Sequence, residues 1–205
     1  MTKKWLRERK YDTYHLRAKK DGFRSRAIYK LFQISKPLDL IKTGDIVVDF
    51  GSFPGGWIQG ARILVGEEGF VMGVDLKPIE AFSWSNVKVL LGDITRLEES
   101  DIREELPRKA DVVISDVSPN LSGIWEVDHA RQMELARKSV ELARVLLRRG
   151  GNLIIKAFQG ESFKELLEEV KSRFRSVKIV KPKASRKRSA EVYIVARGFN
   201  LKGRK

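Results

Sequence analysis

The fold is decided by the stretch DIVVDFGSFPGGW at residues 45–57, which joins an apolar run to a glycine-rich turn. The β-branched residues of the run predict a buried strand of a parallel sheet. Gly51, Gly55 and Gly56 allow the backbone to approach a bound molecule closely. Open α/β sheets bind nucleotide-like ligands where such a strand ends and a helix begins. The stretch therefore predicts a ligand-binding loop at the carboxyl end of the first strand.

The spacing of the glycines disfavours two common ligands of such loops. A dinucleotide-binding loop reads G-x-G-x-x-G and a P-loop ends in G-K-[ST], whereas this loop reads G-S-F-P-G-G. Asp75 and Asp93 end the next two apolar runs, where carboxylates can accept hydrogen bonds from ribose hydroxyls and from an adenine amino group. One such aspartate is more often a turn or helix-capping residue. The series after this loop favours a ligand with adenosine and no phosphate.

Apolar runs alternate with helical patterns from residue 45 onward. Strands are predicted at 45–50, 70–76, 86–93, 110–116, 150–158, 176–182 and 191–197, and helices at 56–65, 129–148 and 161–173. This rhythm predicts an α/β fold with a seven-stranded, mostly parallel sheet and helices on both faces. The linker PKASRKRSA at 182–190 is too short and polar for a crossover helix, so the last strand should be antiparallel. Earlier in the chain, SRAIYKLFQI predicts a helix with Ser25 as its N-cap.

The composition favours a polyanionic partner. The chain has 41 Lys and Arg against 27 Asp and Glu, a net charge of +14, and eleven of the basic residues fall within residues 1–30. Aromatic residues interspersed among them favour an RNA-binding surface, although a solvated terminal helix has the same composition. The absence of cysteine fits a reducing cytosol, and no apolar stretch reaches the roughly 18 residues needed to cross a membrane. We expect a cytoplasmic protein without a membrane segment.

Two later strands carry residues suited to chemistry. The run ADVVISD ends at Asp116, and GGNLIIKAF places Lys156 within an otherwise apolar strand. A lysine there either snorkels from the strand end, forms a structural ion pair or has a catalytic role. Lys30 lies among apolar residues of the helix after Ser25, and Glu191 opens the last strand. His15 and His129 lack the spacing of metal ligands, so no metal is expected.

Five motifs, SRAIYKL, DFGSFPGGW, SDVSPN, IIKAFQG and SAEVYIVA, resemble in order and spacing those of the FtsJ/RrmJ family, the ribosomal RNA large-subunit methyltransferase E enzymes. The resemblance covers nearly the whole chain and implies one Rossmann-like S-adenosylmethionine-dependent methyltransferase domain. It places a K-D-K-E catalytic tetrad on Lys30, Asp116, Lys156 and Glu191. It places the S-adenosylmethionine site on Gly55, Trp57, Asp75, Asp93 and Asp116. The departures are Ser52-Phe53 where Ala-Ala is usual and Val117-Ser118 where Met-Ala is usual.

The resemblance implies transfer of a methyl group to the 2′-hydroxyl of a uridine ribose in large-subunit (23S) ribosomal RNA. A ribose hydroxyl is a poor nucleophile, so the reaction needs a base and an in-line approach to the methyl group. We expect Lys156 to accept or steer the proton, Asp116 and Glu191 to orient Lys156, and Lys30 to polarise or position the ribose. The same chemistry on tRNA or a messenger cap, and a catalytically idle RNA-binding protein, remain alternatives. An oxidoreductase is disfavoured because the nicotinamide fingerprint is absent.

The RNA is expected to bind a positive rim around the acceptor site. The rim would consist of a basic extension at residues 1–24, Lys30 and the loop 181–188, which has five basic residues and no acid. Residues 25–205 would form the methyltransferase domain, expected to act as a monomer on ribosomal RNA within or outside the large subunit. Trp125, in NLSGIWEVD, is a candidate stacking platform or lid, or a packing residue.

Overall fold

The computed structural model describes residues 12–186 and 188–200. Its helices are α1 (Thr13–Lys20), α2 (Ile28–Ser35), α3 (Gly56–Val65), α4 (Glu99–Arg103), α5 (Trp125–Leu146) and α6 (Phe163–Arg173), with a 3-10 turn at Lys36–Leu38. Its strands are β1 (Ile46–Phe50), β2 (Phe70–Asp75), β3 (Val87–Leu91), β4 (Ala110–Ser115), β5 (Leu147–Phe158), β6 (Phe174–Val180) and β7 (Glu191–Phe199). No helix of the described residues is long and apolar enough to cross a membrane.

The seven strands form one sheet in the order β3-β2-β1-β4-β5-β7-β6. β1 to β5 pair in parallel, whereas β7 runs antiparallel to both β5 and β6. The predicted seven-stranded, mostly parallel sheet with an antiparallel last strand is confirmed. The carboxyl ends of the parallel strands and the beginning of β7 therefore meet at one edge of the sheet, which we call the functional edge.

The two faces of the sheet are buried by different helices. Alternate residues of β1 point to opposite sides, with Val48 packed among residues of α5 and α6 and Val47 among residues of α2 and α3. Every residue of β1 and β4 is buried, as the near-continuous apolar runs predicted. This double cover holds the strand ends in fixed positions at the functional edge.

Two of the predicted helix starts differ from the structure, and β5 begins at Leu147, within the predicted helix 129–148. Ser25 is not the N-cap of α2, because that helix begins at Ile28 after Ala27 and Ser25 contributes only its carbonyl, which accepts from the Ile28 N–H. α5 begins at Trp125, four residues before its predicted start, with Glu126 and Asp128 in its first turn. Acidic residues there interact favourably with the helix dipole, a signal that the apolar periodicity does not contain.

α1 belongs to the predicted basic extension, and its described part packs against the sheet domain. Ala18 is buried with Ile28, Tyr29 and Ala184, and the Tyr29 hydroxyl donates to Asp21 at 2.8 Å. Residues 1–11 of that extension lie outside the described residues. The division at residues 24 and 25 therefore stays a prediction.

A buried carboxylate joins the strands at the edge opposite the functional edge. Asp111 accepts from the Ile46 N–H at 2.7 Å, from Arg108 at 2.7 Å and from Arg148. Burial disfavours its charge, but these hydrogen bonds and the two guanidinium groups outweigh burial and hold the pKa of Asp111 below its usual value. The folded protein thus gains stability from an ionised Asp111.

We expect Asp111→Asn to lower the free energy of unfolding by about 2 kcal/mol at pH 7, because charge-assisted hydrogen bonds are lost in a buried site. The lowered pKa means that this contribution is present above the ordinary pKa of 3.8 and is lost as the pH falls through the folded-state value. Urea unfolding from pH 7 to pH 3 should show the difference narrowing below pH 4. Glu168→Gln, in an exposed pair with Lys171, should change stability by less than about 0.5 kcal/mol. A constant difference across this range would contradict the assignment.

Candidate active site

A cavity of about 300 Å³ opens at the functional edge, at the ends of β1 to β4. Three predicted donor-site residues, Asp75, Asp93 and Asp116, line it together with Gly51 and Phe53 of the glycine-rich turn. The cavity is therefore enclosed by three carboxylates and by a backbone that approaches it closely.

The carboxylates of Asp75 and Asp93 are positioned by backbone hydrogen bonds. Asp75 accepts from the Phe53 N–H at 2.8 Å and the Lys77 N–H at 2.9 Å, so it also holds the glycine-rich turn in place. Asp93 accepts from the Thr95 N–H at 2.9 Å and its hydroxyl at 2.8 Å. These Thr95 hydrogen bonds lower the pKa of Asp93, with a smaller contribution from Arg96. Asp93 is consequently an ionised acceptor at neutral pH.

The other two predicted donor-site residues, Gly55 and Trp57, do not line this cavity. Gly55 is the N-cap of α3 and has a φ of 110°, a backbone conformation that residues with a side chain rarely adopt. Trp57 is buried, and its indole N–H donates to the Ala27 carbonyl at 2.7 Å. In the structure both residues fix how the turn enters α3. Their contact with a donor stays a prediction.

Asp49 is a buried carboxyl beneath the turn that sequence reasoning did not single out. It is fully buried in β1, and neither of its carboxyl oxygens has a hydrogen-bond partner among the described residues. Burial raises its pKa well above the usual value, and the nearby charges of Asp116 and Asp75 raise it further. Asp49 is therefore the neutral member of this group of carboxyls. Asp49 lies one residue before the end of β1, and from the sequence it could not be distinguished from an ordinary carboxylate at a strand end.

Asp116 connects the cavity to the predicted tetrad. The Lys156 side chain is 5% exposed, and its ammonium lies 2.7 Å from the Asp116 carbonyl and 3.2 Å from its carboxylate. Burial raises the pKa of Asp116, but the positive charges of Lys156 and Lys30 and a hydrogen bond from Tyr193 outweigh burial and lower it. Asp116 is therefore ionised, and a buried ion pair lies directly beside the cavity.

Lys30 and Glu191 form the second half of the tetrad. The Lys30 ammonium lies 2.8 Å from the Glu191 carboxylate and 3.9 Å from that of Asp116. Glu191 also accepts from the Ser185 hydroxyl at 2.8 Å. The geometry thus has Glu191 orienting Lys30, whereas the sequence analysis expected it to orient Lys156.

Tyr193 links the two ion pairs and was missed from the sequence. Its hydroxyl donates to Asp116 at 2.6 Å and accepts from Lys30 at 3.1 Å. Burial, followed by the charges of Asp116 and Glu191, raises its pKa far above the usual value, so it stays protonated. The available signal was alternation, because Tyr193 is two residues after Glu191 and faces the same side of β7.

A second, smaller cavity of about 240 Å³ adjoins the tetrad. It is lined by Arg26, Lys30, Arg186, Ser189 and Glu191. Part of the predicted rim therefore surrounds this cavity, while Lys187 and residues 1–11 lie outside the described residues. No group of His, Asp and Glu suited to a metal ion occurs within residues 12–186 and 188–200. The arrangement joins an anionic cavity to a basic one through the buried Lys156 amine, the half-buried Lys30 amine and two carboxylates.

The chain is similar to known methyltransferases. Residues 23–199 match the model of the FtsJ-like methyltransferase family. A protein of Methanothermobacter thermautotrophicus named ribosomal RNA large subunit methyltransferase E is 48% identical over 98% of this chain and 96% of its own length. A protein of the same name from Methanococcus maripaludis strain C5 is 46% identical over 99% of this chain and 78% of its own length. A solved Plasmodium falciparum protein described as a ribosomal RNA methyltransferase superposes with a TM-score of 0.76 at 27% identity, over 89% of this chain and 100% of that one.

We expect Asp49→Asn to raise the free energy of unfolding at neutral and alkaline pH, because the amide cannot ionise. A raised pKa means that wild-type stability declines as the pH rises above the ordinary value of 3.8, until the folded-state carboxyl itself ionises. The advantage of the variant should therefore grow with pH in urea unfolding between pH 4 and pH 8. An advantage that shrinks over this range would mean that Asp49 is ionised in the folded protein.

Proposed function

The chain belongs to the FtsJ-like methyltransferase family, and from this premise we propose that it transfers a methyl group from S-adenosylmethionine to the 2′-hydroxyl of a uridine ribose in large-subunit (23S) ribosomal RNA. One observation carries the proposal. Asp116 lines the anionic cavity and also contacts both Lys156 and Tyr193, so a donor in the cavity would lie beside the buried Lys156 amine. We also propose that the enzyme acts in the cytoplasm.

The cavity fits S-adenosylmethionine in its chemistry. Carboxylates suit the hydroxyls and amino groups of a nucleoside amino acid, whereas Lys77 is the only basic residue among the described ones that lines the cavity, too few for a phosphate group. Asp75 and Asp93 are the residues that would hold the ribose and the adenine. When bound, S-adenosylmethionine supplies an electrophilic methyl group on a sulfonium.

The tetrad would orient the acceptor ribose and move its proton. Two of the three hydrogen-bond positions of the Lys156 amine point to Asp116, which leaves the third for the ribose 2′-oxygen. Lys156 holds that oxygen in line with the methyl group and accepts or steers the hydroxyl proton as the new bond forms. Lys30, held by Glu191, binds the ribose from the side of the basic cavity. The Tyr193 hydroxyl, which contacts both Asp116 and Lys30, holds the two ion pairs in a fixed relative position.

The RNA substrate is inferred from the names of the relatives. Proteins named ribosomal RNA large subunit methyltransferase E match 98% and 99% of this chain at 48% and 46% identity. The basic cavity beside Lys30 is suited to phosphates of an RNA strand, which it would bind without reading bases. Ribosomal RNA is therefore the acceptor that we propose.

Lys156→Ala should lower methyl transfer by at least about 100-fold while leaving the affinity for S-adenosylhomocysteine unchanged, because the base is lost and the donor cavity is not. Lys156→Arg should not restore activity, since a guanidinium stays charged. Lys171→Ala removes an exposed lysine and serves as the control. Mass mapping of ribose methylation on ribosomal RNA and tRNA should show one lost 2′-O-methyl group in cells without the protein, restored by wild type and not by Lys156→Ala. No lost ribosomal methyl group would contradict the proposed substrate.

The pair of changes Arg186→Gln and Arg188→Gln should weaken RNA binding because two exposed positive charges of the rim are removed. The plot of log affinity against log salt should lose a slope of about 1.4 to 1.8, from 0.7 to 0.9 per phosphate contact. Filter binding of ribosomal RNA at 50 to 300 mM salt measures this slope. Arg131→Gln with Arg137→Gln on α5 is the matched control. An unchanged slope would place the phosphates elsewhere.

A further inference from the structure

An apolar surface lies beside the tetrad that the transfer chemistry does not use. Within the short stretch 121–125, the side chains of Leu121, Ile124 and Trp125 are 66%, 58% and 45% exposed. Exposed large apolar groups gathered next to a catalytic site mark a contact surface more often than isolated ones do. We call these three residues the apolar platform.

The platform is attached directly to the catalytic strand. The Trp125 ring stacks on Phe158 with centroids 6.0 Å apart and planes inclined by 16°. Phe158 is two residues beyond Lys156, so both face the same side of β5, and it pairs with Glu191 across the strands. The indole therefore stacks on a residue that is the cross-strand partner of Glu191 and the next residue after Lys156 on the same side of β5.

The loop that presents the platform is held in one conformation. Asp128 accepts from the Ser122 N–H at 2.7 Å, the Ser122 hydroxyl at 2.8 Å and the Gly123 N–H at 3.0 Å. Further along α5, Gln132 donates to the carbonyl of Lys156 at 3.2 Å. Trp125 and Gln132 are seven residues apart, on one side of the helix, so the platform and the catalytic lysine are fixed to the same element.

The platform is not part of the donor cavity. That cavity is lined by Asn120 and Leu135 from this region but by none of the three platform residues. Phe158 stacks on one face of the indole, and the His129 ring lies 5.5 Å away with its plane inclined by 45°. Trp125 is still 45% exposed, and this exposed part of the indole is open to a ligand. A flat aromatic surface beside a site that must receive a ribose suits an unstacked nucleobase, because RNA enzymes and binding proteins hold splayed bases on aromatic rings.

We propose that Trp125, supported by Phe158 and flanked by Leu121 and Ile124, is a stacking site for an unpaired nucleobase next to the target ribose. This inference rests on the proposed methyl transfer to RNA and adds the requirement that the target region be single-stranded and splayed. The basic rim then binds the phosphates, and the platform fixes the register of the strand so that one 2′-hydroxyl reaches Lys156.

The test uses the full chain with an RNA fragment that contains the mapped target. Trp125→Ala should raise KM for the RNA roughly tenfold or more, as loss of one base stack does, and leave the affinity for S-adenosylhomocysteine unchanged. Trp125→Phe should restore KM to within about threefold, whereas Trp125→Leu, which keeps apolar packing on Phe158 without an aromatic face, should not. Ile63→Ala removes a similarly exposed apolar side chain from α3 and should behave as wild type.

A second measurement identifies the base itself. RNA fragments with an abasic residue on either side of the target should raise KM for the wild type at one position, and should cause no further increase with Trp125→Ala. Additive effects, equal rescue by Leu and Phe, or a weakened S-adenosylhomocysteine affinity would each overturn the stacking site in favour of packing or a donor lid. Failure of the proposed function looks different, since the wild type itself would then methylate no ribosomal RNA.

Discussion

The rest of the site depends on the ion pair between Lys156 and Asp116. The Lys156 side chain is 5% exposed, and burying its ammonium costs several kcal/mol unless an opposite charge and good hydrogen bonds compensate it. Asp116 supplies both its carboxylate and its carbonyl to the same amine. The Asp116 N–H in turn donates to the Phe50 carbonyl at 3.1 Å, which ties the pair to β1. The position of the amine is thus set by the parallel pairing of β1, β4 and β5.

The reversed direction of β7 completes the site. Glu191 is the first residue of β7, and because this strand is antiparallel to β5, its beginning lies at the edge where β5 ends. A parallel β7 would put Glu191 at the opposite edge, about 27 Å away by the rise of its nine residues. The short loop at 182–190 makes the reversal necessary, and it also brings Ser185 to Glu191. The short loop therefore fixes the position of Glu191 and also of Ser185, whose hydroxyl donates to it.

The sequence predicted the parts of the site that lie at strand ends. The sequence carries distinct signals for strand-end aspartates, for the glycine turn and for a lysine in an apolar strand. The sheet brings Asp75, Asp93, Asp116 and Lys156 to the same edge. Tyr193 could not be distinguished in EVYIVAR, because a tyrosine there is an ordinary strand residue until its hydroxyl partners are known. The pairing of Glu191 with Lys30 was equally hidden, since it depends on where α2 packs across the sheet rather than on spacing.

Asp49 and Asp116 show how the fold gives neighbouring carboxyls opposite charges. They lie on or just after adjacent strands, and the register pairs Phe50 with Ser115, the residue before Asp116. Asp116 has two lysines and a tyrosine within reach, whereas Asp49 has no hydrogen-bond partner among residues 12–186 and 188–200 and lies near the charges of two other carboxylates. Ionising Asp49 would add a third negative charge beneath the cavity without compensation. Keeping it neutral leaves the negative potential at Asp75, Asp93 and Asp116, the carboxylates that line the cavity, which is where a cationic donor would experience it.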